Sequence, residues 1–84
     1  GLISRVYSID NIDDEVNKLA KHFSTAPTYG LSLIKKALNE SVDNTLDEQL
    51  ELEKNLQRAA GHSNDYKEGV AAFLEKRAPE FKGN

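Results

Sequence analysis

The chain of 84 residues contains no cysteine, no methionine and no tryptophan. The absence of cysteine excludes disulfides, thiol catalysis and the common zinc-ribbon patterns. Because methionine is missing even at the first position, we expect the chain to have been cut from a longer parent. Its hydrophobic content of 38% is low for a globular domain. We therefore expect a small core that another chain, or a further part of the same protein, completes.

Basic clusters and long apolar runs are also absent. The formal net charge is −3, and no run of Lys or Arg provides the basic surface that nucleic acids require. No apolar stretch is long enough for a signal segment or a membrane span. These absences predict no nucleic-acid partner, no membrane partner and a cytoplasmic setting.

What the chain does contain is four candidate helical segments, and in the first, third and fourth of them acidic residues near the start and basic residues near the end complement the helix dipole. Apolar residues recur within them at helical spacing. We predict an all-α chain with four helices. Their expected bounds are about Asn11 to Ser24, Pro27 to about Glu40, Thr45 to Gly61, and a start in "HSND" to a stop at Pro79.

The clearest boundary signals belong to the third and fourth helices. Thr45 and Glu48 form the pattern of a capping box, which satisfies two backbone groups at a helix start. Ser63 or Asp65 can cap the fourth helix. Gly61 marks the predicted end of the third helix.

The third helix carries an unusually wide apolar arc. Leu46 and Leu50 lie on one side of it, and Leu52, Leu56 and Ala59 lie on the other, with polar side chains at positions 49, 53 and 57 between them. An arc of this width can contact two bodies. The helix is either wedged among its own neighbours or placed at an interface between subunits.

The fourth helix is predicted to direct Tyr66, Val70, Phe73 and Leu74 inward. Glycines at positions 30 and 69 fall inside predicted helices, where each costs about 1 kcal/mol relative to alanine. Either a close backbone approach compensates for this cost, or packing simply tolerates a weak helix former.

No catalytic or metal site can be proposed from the residues. His22 and His62 have no second ligand at the spacing of a metal-binding helix. The serines form no nucleophile elbow, and the glycines form no phosphate loop. An acyl carrier protein would need a serine for phosphopantetheine near Ser32. Leu31 precedes it where the carrier motif has an aspartate, so this alternative is weak.

Three stretches resemble one known family. "PTYGLSLIKKALNES", "NTLDEQLELEKNLQRAAG" and "HSNDYKEGVAAFLEKRAPEFKG" follow in the order found in the C-terminal region of the enoyl-CoA hydratase/isomerase family, the crotonases. "GLISRV" resembles the connector that follows the catalytic core of these enzymes. Within the family the chain is most similar to the phenylacetate branch, the 2-(1,2-epoxy-1,2-dihydrophenyl)acetyl-CoA isomerases.

The resemblance implies an architecture and a division of labour. Residues 1–10 would connect to a missing catalytic core, the ββα-spiral, and residues 11–84 would be a helical module that caps the active site and builds a homo-oligomer, a trimer or a hexamer. The partners would be the missing core and neighbouring subunits. The module itself would hold no catalytic residue and no cofactor, and acyl-CoA would be the substrate of the parent enzyme.

The resemblance also implies two coenzyme A contacts. Phe73 would pack on the nucleotide and Lys76 would place a positive charge near a phosphate, as neighbours on one helix face. Read without the family, Phe73 is a core residue and Lys76 complements the end of its helix. A stand-alone helical interaction module with no link to an enzyme is the alternative function. The coding sequence immediately upstream separates the two.

Overall fold

The computed structural model describes residues 1–84 and contains only helices. This confirms the all-α prediction with four helices. The helices are α1 (Ile12–Ser24), α2 (Thr28–Glu40), α3 (Leu46–His62) and α4 (Asn64–Glu75). No helix is both long and apolar enough to cross a membrane.

Local signals fix most of the helix ends. Thr45 and Glu48 form the predicted capping box at the start of α3, and the exchange of hydrogen bonds lowers the pKa of Glu48. Ser63 caps α4 by accepting a hydrogen bond from the amide of Tyr66 at 3.0 Å. Gly61 does not end α3, which continues for one further residue and gives way at Ser63, an extended residue that also caps α4.

The helices form a flat body of 46 × 39 × 17 Å in which α2 packs on α3 and α3 packs on α4. Only two residues are buried: Ala72, at 2% exposure, and Asp65, at 5%. The chain therefore has almost no core of its own, in line with its low hydrophobic content. The large apolar side chains are distributed over surfaces that this chain leaves open.

The two sides of the α3 arc have different environments. Leu52 and Leu56 are half-buried, whereas Leu46 and Leu50 are 74% and 56% exposed. Between them, the side-chain Nε2 of Gln49 donates a hydrogen bond to the carbonyl oxygen of Ala37 in α2 at 3.2 Å. A polar side chain inside the arc thus ties α3 to α2. One side of the arc packs within the chain and the other does not.

The prediction that the large apolar residues of α4 point inward is wrong for this chain. Tyr66, Val70, Phe73 and Leu74 are all exposed, and the buried apolar residue of α4 is Ala72. The covered apolar side chain of α4 is thus a small one, and its large apolar side chains lie on the open side.

Of the two alternatives for the helical glycines, close approach of another backbone does not occur within this chain. A Cβ at Gly69 would lie 3.6 Å from the ring of Phe81, an ordinary contact with a side chain, and a Cβ at Gly30 would meet nothing within 4 Å. Within this chain, packing tolerates both residues and neither is required by it.

The C-terminal tail, residues 77–84, lies back on α4. The carboxylate of Asp65 accepts hydrogen bonds from the amides of Lys82, at 2.7 Å, and Gly83, at 2.9 Å. The amide of Asp65 donates to the carbonyl oxygen of Asn84 at 2.9 Å. These bonds supply the partners that a buried carboxylate requires. The tail is therefore part of the folded structure.

Candidate functional site

A groove of about 420 Å³ opens along the exposed side of α4. Its walls come mainly from the large apolar residues of α4, the start of α2 and the tail. The lining includes Tyr66, Val70, Phe73 and Leu74 from α4, Pro27 and Gly30 from the α2 end, and Phe81 from the tail. A mostly apolar, open groove of this kind can accept a flat or extended apolar group.

Phe73, the first predicted contact residue, lines this groove. Phe73 is 82% exposed, so the prediction that it is a core residue is wrong for this chain. An aromatic ring left open to solvent beside an apolar groove offers a face on which another ring can stack.

Lys76, the second predicted contact residue, lies just beyond α4. Its backbone has φ 56° and ψ 38°, the left-handed conformation. The amide of Arg77 then donates to the carbonyl oxygen of Ala72 at 3.0 Å and closes the helix end. Phe73 and Lys76 therefore do not share the one helix face that the spacing predicted, because α4 ends at Glu75. It ends well before Pro79, the predicted stop.

A lysine at this turn is unfavourable for the backbone. Glycine is the usual residue there, and a side chain in the left-handed region costs about 1–2 kcal/mol. Strain of this kind is often retained where a side chain has a function. Lys76 is exposed and takes part in none of the salt bridges of the chain. Its ammonium group is thus available to a ligand.

The neighbouring cation has a different role. The guanidinium of Arg77 donates to both carboxylate oxygens of Glu68, at 2.6 and 2.9 Å, and to Glu75 at 2.6 Å. Glu68 also accepts a hydrogen bond from the amide of Glu80 at 2.8 Å. The two hydrogen bonds from the Arg77 guanidinium, together with the bond from the Glu80 amide, lower the pKa of Glu68 to about 2. The same pairing with Glu68 and Glu75 raises the pKa of Arg77.

A second groove, of about 460 Å³, runs between α2 and α3. Leu31, Ile34, Leu38 and Leu56 are among its apolar walls. Both grooves include Pro27, Gly30 and Ala60, so they form one continuous apolar surface across three helices. No three His, Cys, Asp or Glu side chains lie together in a way that could hold a metal ion.

Two parts of this site were not found from the sequence. The contribution of Tyr66 and Phe81 to one groove depends on how the tail folds back, which no local pattern encodes. The spacing of Asp65 and Glu68, three residues apart on one side of α4, was the only available signal that both could hold the same segment.

Comparison with known proteins assigns the chain to a family. The family model described as "Enoyl-CoA hydratase/isomerase" matches residues 1–84. The chain belongs to the enoyl-CoA hydratase/isomerase family, as the resemblance predicted.

Two relatives from one organism cover nearly the whole chain. The 1,2-epoxyphenylacetyl-CoA isomerase of Escherichia coli K12 is 52% identical over 83 residues, which cover 99% of this chain and 32% of that protein. Methylmalonyl-CoA decarboxylase of the same organism is 33% identical over 87 residues, covering 100% of this chain and 33% of that protein.

Solved structures agree with the sequence relatives. An enoyl-CoA hydratase of Geobacillus kaustophilus HTA426 superposes with a TM-score of 0.89 at 34% identity, covering 100% of this chain and 32% of that chain. Another enoyl-CoA hydratase form from the same organism has a TM-score of 0.88 at 39% identity, covering 100% of this chain and 33% of that chain. The chain spans about a third of the length of the relatives it matches.

Proposed function

We propose that this chain is the C-terminal helical module of an acyl-CoA-processing crotonase, an enoyl-CoA hydratase or isomerase. The observation that carries the proposal is the 52% identity to a 1,2-epoxyphenylacetyl-CoA isomerase over 99% of the chain. This identity favours phenylacetate degradation as the setting, and the cytoplasm is the location in this proposal.

In this proposal the open apolar surfaces are covered by the remainder of the protein and by neighbouring subunits of a trimer or hexamer. The exposure of Leu46 and Leu50 on α3 and of Val16, Leu19 and Phe23 on α1 supports it. Soluble proteins rarely leave contiguous apolar surface of this extent uncovered. Residues 1–10 then act as the connector to the catalytic core.

The module contributes contacts to coenzyme A. Phe73 packs on the nucleotide through its exposed ring, and Lys76 supplies a charge to a phosphate. The left-handed backbone of Lys76 and its unpaired ammonium group support this role, because a structural residue at that turn would favour glycine.

The chemistry itself is assigned to residues outside this chain. An isomerase, a hydratase and a decarboxylase all share this region with it, so the region does not decide the reaction. We expect the isolated chain to have no hydratase or isomerase activity, because it offers no donor set to stabilise an enolate-like transition state. Turnover of crotonyl-CoA or a phenylacetyl-derived CoA ester above background, in a preparation free of the complete enzyme, would refute this.

The coenzyme A role is tested by Lys76→Ala in the complete protein. A charge on the nucleotide phosphate contributes equally to ground and transition states, so KM should rise at unchanged kcat. A contact of about 1–3 kcal/mol corresponds to a loss of roughly 5- to 150-fold, and less at high salt.

Two controls make the result specific. Lys67→Ala removes an exposed lysine that lies within α4 and should leave KM unchanged. Substrates trimmed to the pantetheine arm lack the nucleotide phosphate and should be insensitive to Lys76→Ala. Equal impairment with trimmed and complete substrates would show that Lys76 does not bind the phosphate.

A further inference from the structure

Two carboxylates of α4, Asp65 and Glu68, together hold the C-terminal tail at separate points. Asp65 binds the amides of Lys82 and Gly83, and Glu68 binds the amide of Glu80 as well as the side chain of Arg77. We call this pair of residues the carboxylate clamp. Between them, the two side chains account for three backbone amides of a segment that has no helix or strand.

The clamp also reaches the turn that carries Lys76. Arg77 is the next residue, and its amide closes the helix end on Ala72 while its guanidinium is held by Glu68. A rotation of the Lys76 backbone out of the left-handed region would move Arg77 away from both partners. A fork of two parallel hydrogen bonds fixes direction as well as distance. The unfavourable turn at Lys76 is therefore held from its C-terminal side.

The exposure of the two carboxylates differs in a way that suits this role. Asp65 is buried under the tail, and Glu68 is half-buried at its edge. Glu75 contacts the same guanidinium, but its side chain is 61% exposed and it bonds to no tail amide. Glu68 and Glu75 therefore both bind Arg77, but only Glu68 also binds the tail, so Glu75 is a matched control for Glu68.

We infer that Asp65 and Glu68 are positioning residues, which fix the tail on α4 and thereby hold Lys76 in the conformation that presents its ammonium group to a phosphate-bearing ligand. The first half of this inference concerns the fold of the chain alone. The second half rests on the proposed function and names residues of the same site.

The test uses the complete protein with Glu68→Gln, Asp65→Asn and the control Glu75→Gln. Each change keeps the shape of the side chain and removes its charge. Amide hydrogen exchange at Glu80, Lys82 and Gly83 reports on the tail. The dissociation constants of coenzyme A and of pantetheine report on Lys76.

We expect both clamp variants to accelerate tail exchange by about tenfold, since a charge-assisted hydrogen bond is roughly twice as strong as a neutral one. Glu68→Gln should also weaken coenzyme A binding several-fold and leave pantetheine binding unchanged. Glu75→Gln should change neither. If Asp65→Asn is too unstable to purify, Glu68→Gln alone decides the result, because its side chain is partly open to solvent.

A double-mutant cycle with Arg77→Gln adds a check on the pair. If Glu68 acts through Arg77, the double variant should weaken coenzyme A binding no more than either single change. Fully additive losses would overturn the coupling.

Three further outcomes separate the inference from the proposed function. Unchanged tail exchange in both clamp variants overturns the inference. Faster exchange with undiminished coenzyme A affinity, while Lys76→Ala does weaken it, overturns the positioning of Lys76. If Lys76→Ala itself leaves the affinity unchanged, the proposed coenzyme A contact is wrong, and tail exchange alone decides whether the clamp holds the tail.

Discussion

The first and last helices look alike in sequence and differ in the structure. α1 and α4 contain 13 and 12 residues, and each has at least one acidic side chain in its first turn. The apolar and polar residues are most sharply segregated in α1, yet α1 buries no residue. α4 contains both buried residues of the chain, Asp65 and Ala72.

The difference shows what an amphipathic pattern predicts. It indicates that a helix face will be covered, but not which chain covers it. Within the chain, α4 is covered on the side that carries Asp65 and Ala72, while its large apolar side chains stay open. The apolar side of α1 faces no comparable partner, and in the proposed function its partner is the catalytic core or another subunit.

The largest expected effect on stability comes from comparing a covered and an uncovered side chain of α3. Leu56→Glu places a charge in the half-buried groove against α2 and should lower the free energy of unfolding by about 2–4 kcal/mol. Leu50→Glu changes an exposed position and should stay within about 0.5 kcal/mol in this chain. Urea unfolding of both variants measures the two values.

Leu50→Glu should instead act on assembly. In the complete protein it should reduce the oligomer to smaller species in sedimentation, because the exposed side of the arc has no other proposed use. An intact oligomer would remove Leu50 from the interface.

A smaller effect compares the acidic residues in the first turns of α4 and α1. Asp65→Ala removes the acceptor of two tail amides and should lower the free energy of unfolding by about 2 kcal/mol, less than two full charged hydrogen bonds because the freed amides regain water. Asp14→Ala should lower it by at most about 0.5 kcal/mol through the helix dipole. Equal losses would mean that the tail contributes nothing.

These contacts show which features the sequence could predict. The helices, the capping box at Thr45 and the cap at Ser63 follow from signals within a few residues, and the structure confirms them. The all-α class follows from the helical spacing of apolar residues in four segments, and the family follows from the resemblance of stretches that occur in the family's order. Signals between residues close in sequence thus predicted most of the helices and their ends.

The carboxylate clamp could not be predicted in the same way. Its hydrogen bonds join residues that are 9 to 18 positions apart, and the donors are the Arg77 side chain and three backbone amides of an irregular segment. The exposure of Tyr66, Phe73 and Leu74 could not be predicted either, because their covering surface does not lie in this chain. Periodicity identified the apolar face of α4 but not its partner.

Gly83→Ala tests the tail at its end. Gly83 has φ +77°, and a Cβ there would lie 2.5 Å from the hydroxyl oxygen of Thr28. The hydroxyl can rotate away, so the backbone sets the cost at about 1–2 kcal/mol. Thermal unfolding should show the loss only while the tail is docked. In the Asp65→Ala background it should be smaller.

Gly30→Ala should have the opposite sign. A Cβ at Gly30 meets nothing within this chain, so alanine should stabilise α2 by up to about 1 kcal/mol. In the complete protein a close neighbour at this surface would cancel the gain. A gain of the same size in both would show that nothing approaches Gly30.

The smallest effect is the response of the clamp to acid, since Glu68 lies at the edge of the tail and solvent screens its pairing. The folded-state pKa of Glu68 is lowered from 4.5 to about 2. Its stabilising contribution is therefore fully present above pH 4.5 and is lost as the pH falls toward 2. The difference in unfolding midpoint between the native chain and Glu68→Gln should be constant from pH 7 to 4.5 and vanish near pH 2. A difference that persists there would contradict the pairing.

The most direct test of the account compares amide hydrogen exchange in the 84-residue chain with exchange in the complete protein. A helix of 13 residues without a packed face is marginal in water. We predict that α1 amides exchange almost freely in the chain alone and gain at least about a hundredfold protection in the complete protein, whereas α4 amides change much less. Equal protection of α1 in both would contradict the claim that the rest of the protein covers this face.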